Sequence, residues 1–265
     1  MGKSIVIVSG RGGAGKTAVT AHLGTALARR GQNVLLVDAD VGMRSLDLAL
    51  GLESRAVFDL MDVVDGCALG QAIVHDGARP GLALLAGAQL RDSAELTPEV
   101  MRELIDRARD MFDWVLIDAP AGAGHGVQCA CAGAQSALIV LEPDAPGVRS
   151  AQRLAGLLAG YGVASARLVL NRVRPGLARA GLEVRPDAVR DALELDVLAL
   201  LPESTEVRRA TLSGVPLDAR GTAGREFDAL ARRLLGEAPP PELEHGTRLG
   251  RGLGALRGAV RPHTT

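Results

Sequence analysis

The residues Gly10-Arg11-Gly12-Gly13-Ala14-Gly15-Lys16-Thr17 carry the spacing G-x-x-x-x-G-K-T. They follow the apolar run Ile5–Val8 and precede a helix-like stretch, Ala18–Arg30. A strand, a glycine loop and a helix in that order predict a phosphate cradle. Glycines let backbone amides turn inward with no side chain in the way, and a helix N-terminus adds unpaired amides of its own. Lys16 is spaced to reach β- and γ-phosphates, and the Thr17 hydroxyl to hold Mg²⁺. The expected ligand is a nucleoside triphosphate with its metal. Gly10, Gly12 and Gly15 also spell G-x-G-x-x-G, with Asp38 some way downstream as in a dinucleotide fold. Lys16-Thr17 decides against that reading, because a dinucleotide pyrophosphate needs neither group. The chain has two lysines, Lys3 and Lys16, among 30 basic residues. Where arginine is used nearly everywhere, a lysine marks a place that suits a compact point charge.

Positioning this loop requires a sheet. Apolar runs at Ile5–Val8, Val34–Val37, Leu82–Leu85, Trp114–Ile117, Ala137–Leu141, Leu168–Leu170 and Val197–Leu201 read as buried strands. Between them lie helical patterns such as Pro98–Asp110, Val148–Tyr161 and Ser204–Leu212. The alternation predicts an α/β fold: a doubly wound, mostly parallel sheet with helices on both faces. Apolar content is 47% but aromatics only 2%, so the core must be built from Ala, Val, Leu and Ile. That suits parallel strands buried on both sides.

Ligands of such sheets sit beyond the carboxyl ends of strands. Asp38-Ala39-Asp40 follows the second run, Asp118-Ala119-Pro120-Ala121-Gly122 the fourth and Asn171-Arg172 the sixth. Acids there can hold Mg²⁺ through water or orient an attacking water. Singly, each could equally be a helix cap or turn residue. Together, on the edge that carries the loop, they point to function. Thr17, Asp38 and Asp118 are the expected metal residues.

A net charge of −1 gives no pull toward nucleic acid, and no specific DNA binding is expected. No stretch is long and apolar enough to span a bilayer, and the N-terminus reads as a strand, so the expectation is cytoplasmic. Cys67, Cys129 and Cys131 form no disulfide framework. His125 with Cys129 and Cys131 is weighed as a metal site, but small buried thiols in an Ala/Gly-rich helix account for them better. The expected domain covers 1–236, a Pro-rich linker 237–245 and a basic, flexible tail 246–265. In the tail, Leu249, Leu253, Leu256 and Val260 form one helical stripe with Arg248, Arg251, Arg257 and Arg261 off it. That is the pattern of a helix on an anionic membrane surface, while Gly250, Gly252, Gly254 and Gly258 favour a basic coil.

The order of Gly10–Thr17, Asp38-Ala39-Asp40, Val41–Leu48, Asp118–Gly122 and Leu201-Pro202-Glu203 resembles the MinD branch of the ParA/MinD group of deviant P-loop ATPases. The likeness runs from about residue 3 to 235 and keeps the motif order. It implies ATP and Mg²⁺ as ligands and slow hydrolysis that a partner stimulates. It implies an ATP-dependent homodimer with nucleotide between protomers, and peripheral attachment to the inner face of the cell membrane. Partners would be a division-inhibitor protein and an ATPase activator. By the same likeness, Gly10, Arg11, Gly12, Gly13, Ala14, Gly15, Lys16, Thr17 and Ala18 hold the phosphates. Asp118 closes the metal side, and Asn171 with Arg172 reads the adenine. Catalysis falls to Lys16, to Asp40 positioning water, and to Arg11 reaching the partner's nucleotide.

Arg11 stands where the group carries a signature lysine, Ala18 where it carries a hydroxyl residue, and Ala123-Gly124 where an apolar residue and Glu are common. An acidic partner-binding position is replaced around Val148-Arg149-Ser150. Alternatives are a ParA-type DNA segregation ATPase, a flagellar-number regulator of the same group, and an ATP-binding scaffold that does not hydrolyse.

Overall fold

A computed structural model describes residues 1–91 and 95–243. The first half runs β1 (Lys3–Val8), α1 (Lys16–Arg29), β2 (Val34–Asp38), α2 (Leu46–Leu50), α3 (Leu60–Val64), α4 (Leu69–Ala72), β3 (Val74–His75) and β4 (Leu82–Leu85). Then come α5 (Pro98–Met111), β5 (Trp114–Asp118), α6 (His125–Cys131), β6 (Ser136–Leu141), α7 (Ala145–Leu158) and β7 (Ser165–Val173). The remainder is α8 (Pro175–Arg179), α9 (Pro186–Leu193), β8 (Val197–Pro202), α10 (Thr205–Ser213) and α11 (Thr222–Leu235).

The eight strands form one sheet in the order β3-β4-β2-β5-β1-β6-β7-β8. Every pairing is parallel except β3 with β4. Strand residues alternate between two cores, as a pleat requires. Ile5 and Ile7 join Leu23, Leu27, Leu230 and Phe227 on the α1/α11 face. Val6 and Val8 join Met101, Leu104, Val127, Val148 and Leu154 on the α5/α6/α7 face. Leu23 and Leu27 are fully buried, each stabilising the fold by about 1.5–3 kcal/mol.

All seven strands expected from the apolar runs are present. The eighth, β3, is a two-residue antiparallel edge with no periodic signal of its own. Helix α7 begins at Ala145, three residues before the expected Val148. Asp144 caps it by accepting the Gly147 amide, and Pro146 sits in its first turn, where a proline costs no hydrogen bond. Strand β7 runs on to Val173, so Asn171 and Arg172 lie within it, at a register break between Leu170 and Val173, rather than after it.

Beyond α11, Glu237 pairs with Arg30 at 3.0 Å and the Pro239 carbonyl accepts Arg233. The expected tail, 246–265, lies outside the described residues. No helix among the described residues is long and apolar enough to cross a membrane.

Candidate functional site

The loop between β1 and α1 holds its shape through two close approaches. A β-carbon at Gly10 would lie 2.4 Å from the Ser150 carbonyl oxygen on α7. Gly15, with φ of 95°, occupies the left-handed region, and a β-carbon there would lie 2.3 Å from Asn171 Nδ2. Gly15 is also the N-cap of α1, and among the described residues no side chain caps that helix. The amides of the first turn are therefore left for a ligand, and the helix dipole favours an anion at that point. Gly12 and Gly13 are exposed, Ala14 is buried, and Ala18 is half-buried in the first turn.

Lys16 is 8% exposed, and its Nζ donates to Ser9 Oγ at 3.0 Å. Ser9 Oγ in turn donates to the Arg11 carbonyl at 2.7 Å. Burial pulls the Lys16 ammonium below its ordinary pKa, while Asp118 and Asp40 oppose that shift. The Thr17 hydroxyl donates to Asp118 Oδ2 at 2.7 Å and lies 3.3 Å from Ser45 Oγ. Thr20 Oγ1 sits 3.0 Å from the Lys16 carbonyl and 3.3 Å from Asp118 Oδ1.

Asp38 and Asp118 are direct neighbours in the β2–β5 register, and both are buried. Burial pushes the Asp118 carboxyl up to about 7, and its neighbour Asp38 adds to the shift. Burial pushes Asp38 up to about 6 against three backbone amides that pull it down. Those amides are Asp40 on Oδ1, and Ser45 and Leu46 on Oδ2. Asp38 thus shapes the loop 40–45 that carries Asp40. The half-buried Asp40 is raised by burial and lowered by Lys16. Three carboxylates gathered around one lysine and one hydroxyl leave an excess of negative charge. That donor set fits a hard divalent cation: the Thr17 hydroxyl can give its proton to Asp118 and keep a lone pair for a metal.

These shifts give a signed prediction for the ligand-free chain. A carboxyl whose folded pKa exceeds its unfolded value holds its proton more tightly in the folded state, so it destabilises the fold as pH rises. Lowering pH from 8 to 6.5 should therefore raise Tm in metal-free, nucleotide-free buffer by a few degrees, as about 1 kcal/mol is recovered. Below about 6.5 the two carboxyls should go on adding stability down toward the unfolded carboxylate range, with one opposing contribution. Burial holds His22 down at about 4, so it stays neutral when the unfolded chain takes up a proton. A Tm that is flat or falls between pH 8 and 6.5 would contradict the assignment.

On the other side of β1 the loop meets β6 and β7. Asn171 Nδ2 donates to the Ala14 carbonyl at 2.8 Å. Arg11 pairs with Asp144 at 2.9 Å and Glu142 at 3.3 Å, and Arg172 with Glu142 at 2.7 Å. The sequence reading missed Ser9, Thr20, Glu142 and Asp144. Glu142 and Asp144 directly follow the apolar run Ala137–Leu141, so the strand-end argument would have found them. Cys129 lies 3.4 Å from His125 Nε2, but both ends of that contact also meet the Leu96 carbonyl. Burial pushes the thiols of Cys129 and Cys131 up to about 11 and about 12, which keeps them protonated and inert.

The family described as the CobQ/CobB/MinD/ParA nucleotide binding domain matches residues 5–217. The septum site-determining protein MinD of Synechocystis is 40% identical over 244 residues, covering 91% of this chain and 92% of that one. The chain belongs to the MinD family. Among solved structures, the MinC:MinD cell division complex of Aquifex aeolicus matches with TM-score 0.83 and 36% identity, over 91% of this chain and 98% of that one. MinD of Pyrococcus horikoshii, complexed with Mg-ADP, matches with TM-score 0.80 and 31% identity, over 88% and 96%. The MinD resemblance, the parallel α/β fold and the reading as a MinD-like ATPase of division-site placement are met by these relatives. In MinD terms, the loop 10–17 and the acids of β2 and β5 occupy one strand-end edge, while α10 and α11 close the opposite flank of α1.

Proposed function

We propose that this chain binds Mg·ATP at the loop 10–17 and hydrolyses it as a dimerising switch. The observation that carries this reading is the buried Lys16, set at the open N-terminus of α1 with Thr17 and Asp118 beside it. Lys16 and the amides of residues 12–17 neutralise the β- and γ-phosphates. Thr17 holds Mg²⁺, with Asp118 behind it and Asp38 supplying charge. The metal supplies electrostatic stabilisation of charge on the transferring phosphoryl group. Asp40 orients the attacking water, and its distance from full burial leaves it open to the site. Asn171 and Arg172 contact the adenine. Arg11 supplies a positive charge to the partner protomer's nucleotide, and Gly12 admits those phosphates.

The γ-phosphate favours the dimer by contacts that the diphosphate lacks, so ATP gates assembly and hydrolysis releases it. Met43 and Leu48, exposed beside the loop 40–45, let a partner sense its state. We further assign a division-inhibitor protein and an ATPase activator as partners. The tail 246–265 is assigned to an anionic inner membrane surface, reached through the linker 237–245. Two such tails in a dimer bind where one does not.

ATPase assays with and without anionic liposomes, alongside sizing with ATP or ADP, test the reading. ATP-dependent dimers and turnover above background are expected. Asp40→Ala should lower kcat by about 100-fold or more while dimers persist. Normal hydrolysis by that variant would remove Asp40 from the water-positioning role. Deleting 246–265 should abolish liposome co-sedimentation and leave nucleotide affinity within about twofold; a loss of folding would make the tail structural instead. One observation favours a second reading, a scaffold that binds ATP without turnover. Arg11 is paired within its own protomer to Asp144 and Glu142. No turnover under either liposome condition would select the scaffold.

A further inference from the structure

Glu142, the first residue after β6, joins two arginines that come from different elements. Its Oε2 lies 3.3 Å from Arg11 Nη2 on the phosphate loop. Its Oε1 accepts Arg172 Nη1 at 2.7 Å, from β7. Arg172 has φ of 56°, a left-handed backbone that a side-chain-bearing residue adopts at a cost. It sits at the register break between Leu170 and Val173. That break turns Asn171 toward the Ala14 carbonyl and Arg172 toward Glu142. The end of β7 therefore touches the loop twice, once directly and once through a single carboxylate.

The sheet order says what this linkage is for. Asp38, Asp40 and Asp118 belong to the ends of β2 and β5, on one side of β1. A nucleotide with its terminal phosphate toward those acids extends its base the other way, toward β6 and β7. Glu142 stands between the base end and the phosphate end of that path.

We propose that Glu142 is a positioning residue that sets base selectivity and ties it to the phosphate loop. This rests on the Mg·ATP reading above. One carboxylate shared by two guanidiniums holds Arg172 and, together with Asp144, restrains Arg11, and a fork-shaped donor loses geometric choice when it is held. Glu142 pre-orders Arg172 for one purine edge. Adenine N1 accepts a hydrogen bond whereas guanine N1–H donates one, so a donor-only Arg172 pinned toward that edge favours adenine, where a free one can turn to guanine O6. The same carboxylate restrains Arg11 and draws its charge away from the phosphates.

Titration calorimetry of the full chain with Mg·ATP, Mg·GTP and tripolyphosphate tests the proposal. The wild type should prefer ATP to GTP. Glu142→Gln should narrow that preference by roughly threefold or more, the scale of a partly exposed ion pair. It should leave tripolyphosphate binding unchanged or slightly tighter, because Arg11 loses one of its two competing anions while Asp144 stays. Glu142→Asp, too short to span both arginines, should fall between, and it carries the test should Glu142→Gln not fold. A merely structural role would weaken all three ligands together, and that outcome overturns the proposal. So does an ATP-to-GTP ratio that is the same in wild type and variants, or the absence of any preference in wild type. A wild type that binds no ATP at all defeats the Mg·ATP reading itself.

Discussion

Lys16→Ala is expected to weaken Mg·ATP binding roughly 30- to 150-fold and to abolish ATP-dependent dimers. The lysine makes one of the few charge-assisted contacts available to the terminal phosphates, and such a contact contributes about 2–3 kcal/mol. Burial has already stripped much of the water from Lys16 and lowered its pKa, with Asp118 and Asp40 opposing that shift, so the ammonium can meet a phosphate at little further desolvation cost. Among the described residues, its hydrogen bond is to the neutral Ser9 hydroxyl. Calorimetric affinity and sizing chromatography check the outcome together. Near-normal affinity in the variant would mean that the loop amides alone hold the nucleotide.

Asp118→Asn should act in opposite directions on stability and function. The carboxyl is fully buried beside Asp38, and its pKa near 7 shows that ionising it within the fold is costly. An amide of the same shape removes that charge. It still accepts from Thr17, and its NH₂ can donate to Thr20 Oγ1, which is already within reach of the Lys16 carbonyl. The ligand-free variant should be more stable than wild type at pH 8 by about 1–3 kcal/mol, a rise of several degrees in Tm. Its stability should also lose most of the pH dependence between 8 and 6.5. Hydrolysis should fall by about 100-fold or more, and Mg²⁺ should no longer strengthen nucleotide binding. A less stable variant at pH 8 would show that Asp118 holds the fold together rather than straining it.

Much of the fold was legible in the sequence because parallel strands are buried on both faces. Runs such as Ile5–Val8 and Trp114–Ile117 are continuously apolar for that reason, and their parallel pairing followed from the β-α alternation. Strand β3 was invisible because Val74 and His75 are held by backbone pairing to β4, not by a side-chain pattern. The start of α7 was misplaced because Pro146 reads as a breaker, whereas in a first turn it is a starter. In the site, residues of the loop 10–17 announce themselves by spacing, since the backbone path itself needs glycine. Glu142 and Asp144 are legible only as acids after a strand; their pairing with Arg11 is not, because it spans more than 130 residues of chain. Ser9 and Thr20 are small hydroxyl residues whose roles appear only when Lys16 and Asp118 are set beside them.

The single tryptophan begins the same strand that Asp118 ends, and Lys3 rests on its ring at 4.8 Å. Four residues of extended chain put about 13 Å between them. Intrinsic emission from Trp114 is therefore an optical reporter placed at the far rim of the sheet from the phosphates. It should register global unfolding strongly and nucleotide arrival hardly at all. One chromophore thereby separates loss of structure from loss of ligand in any variant of this chain.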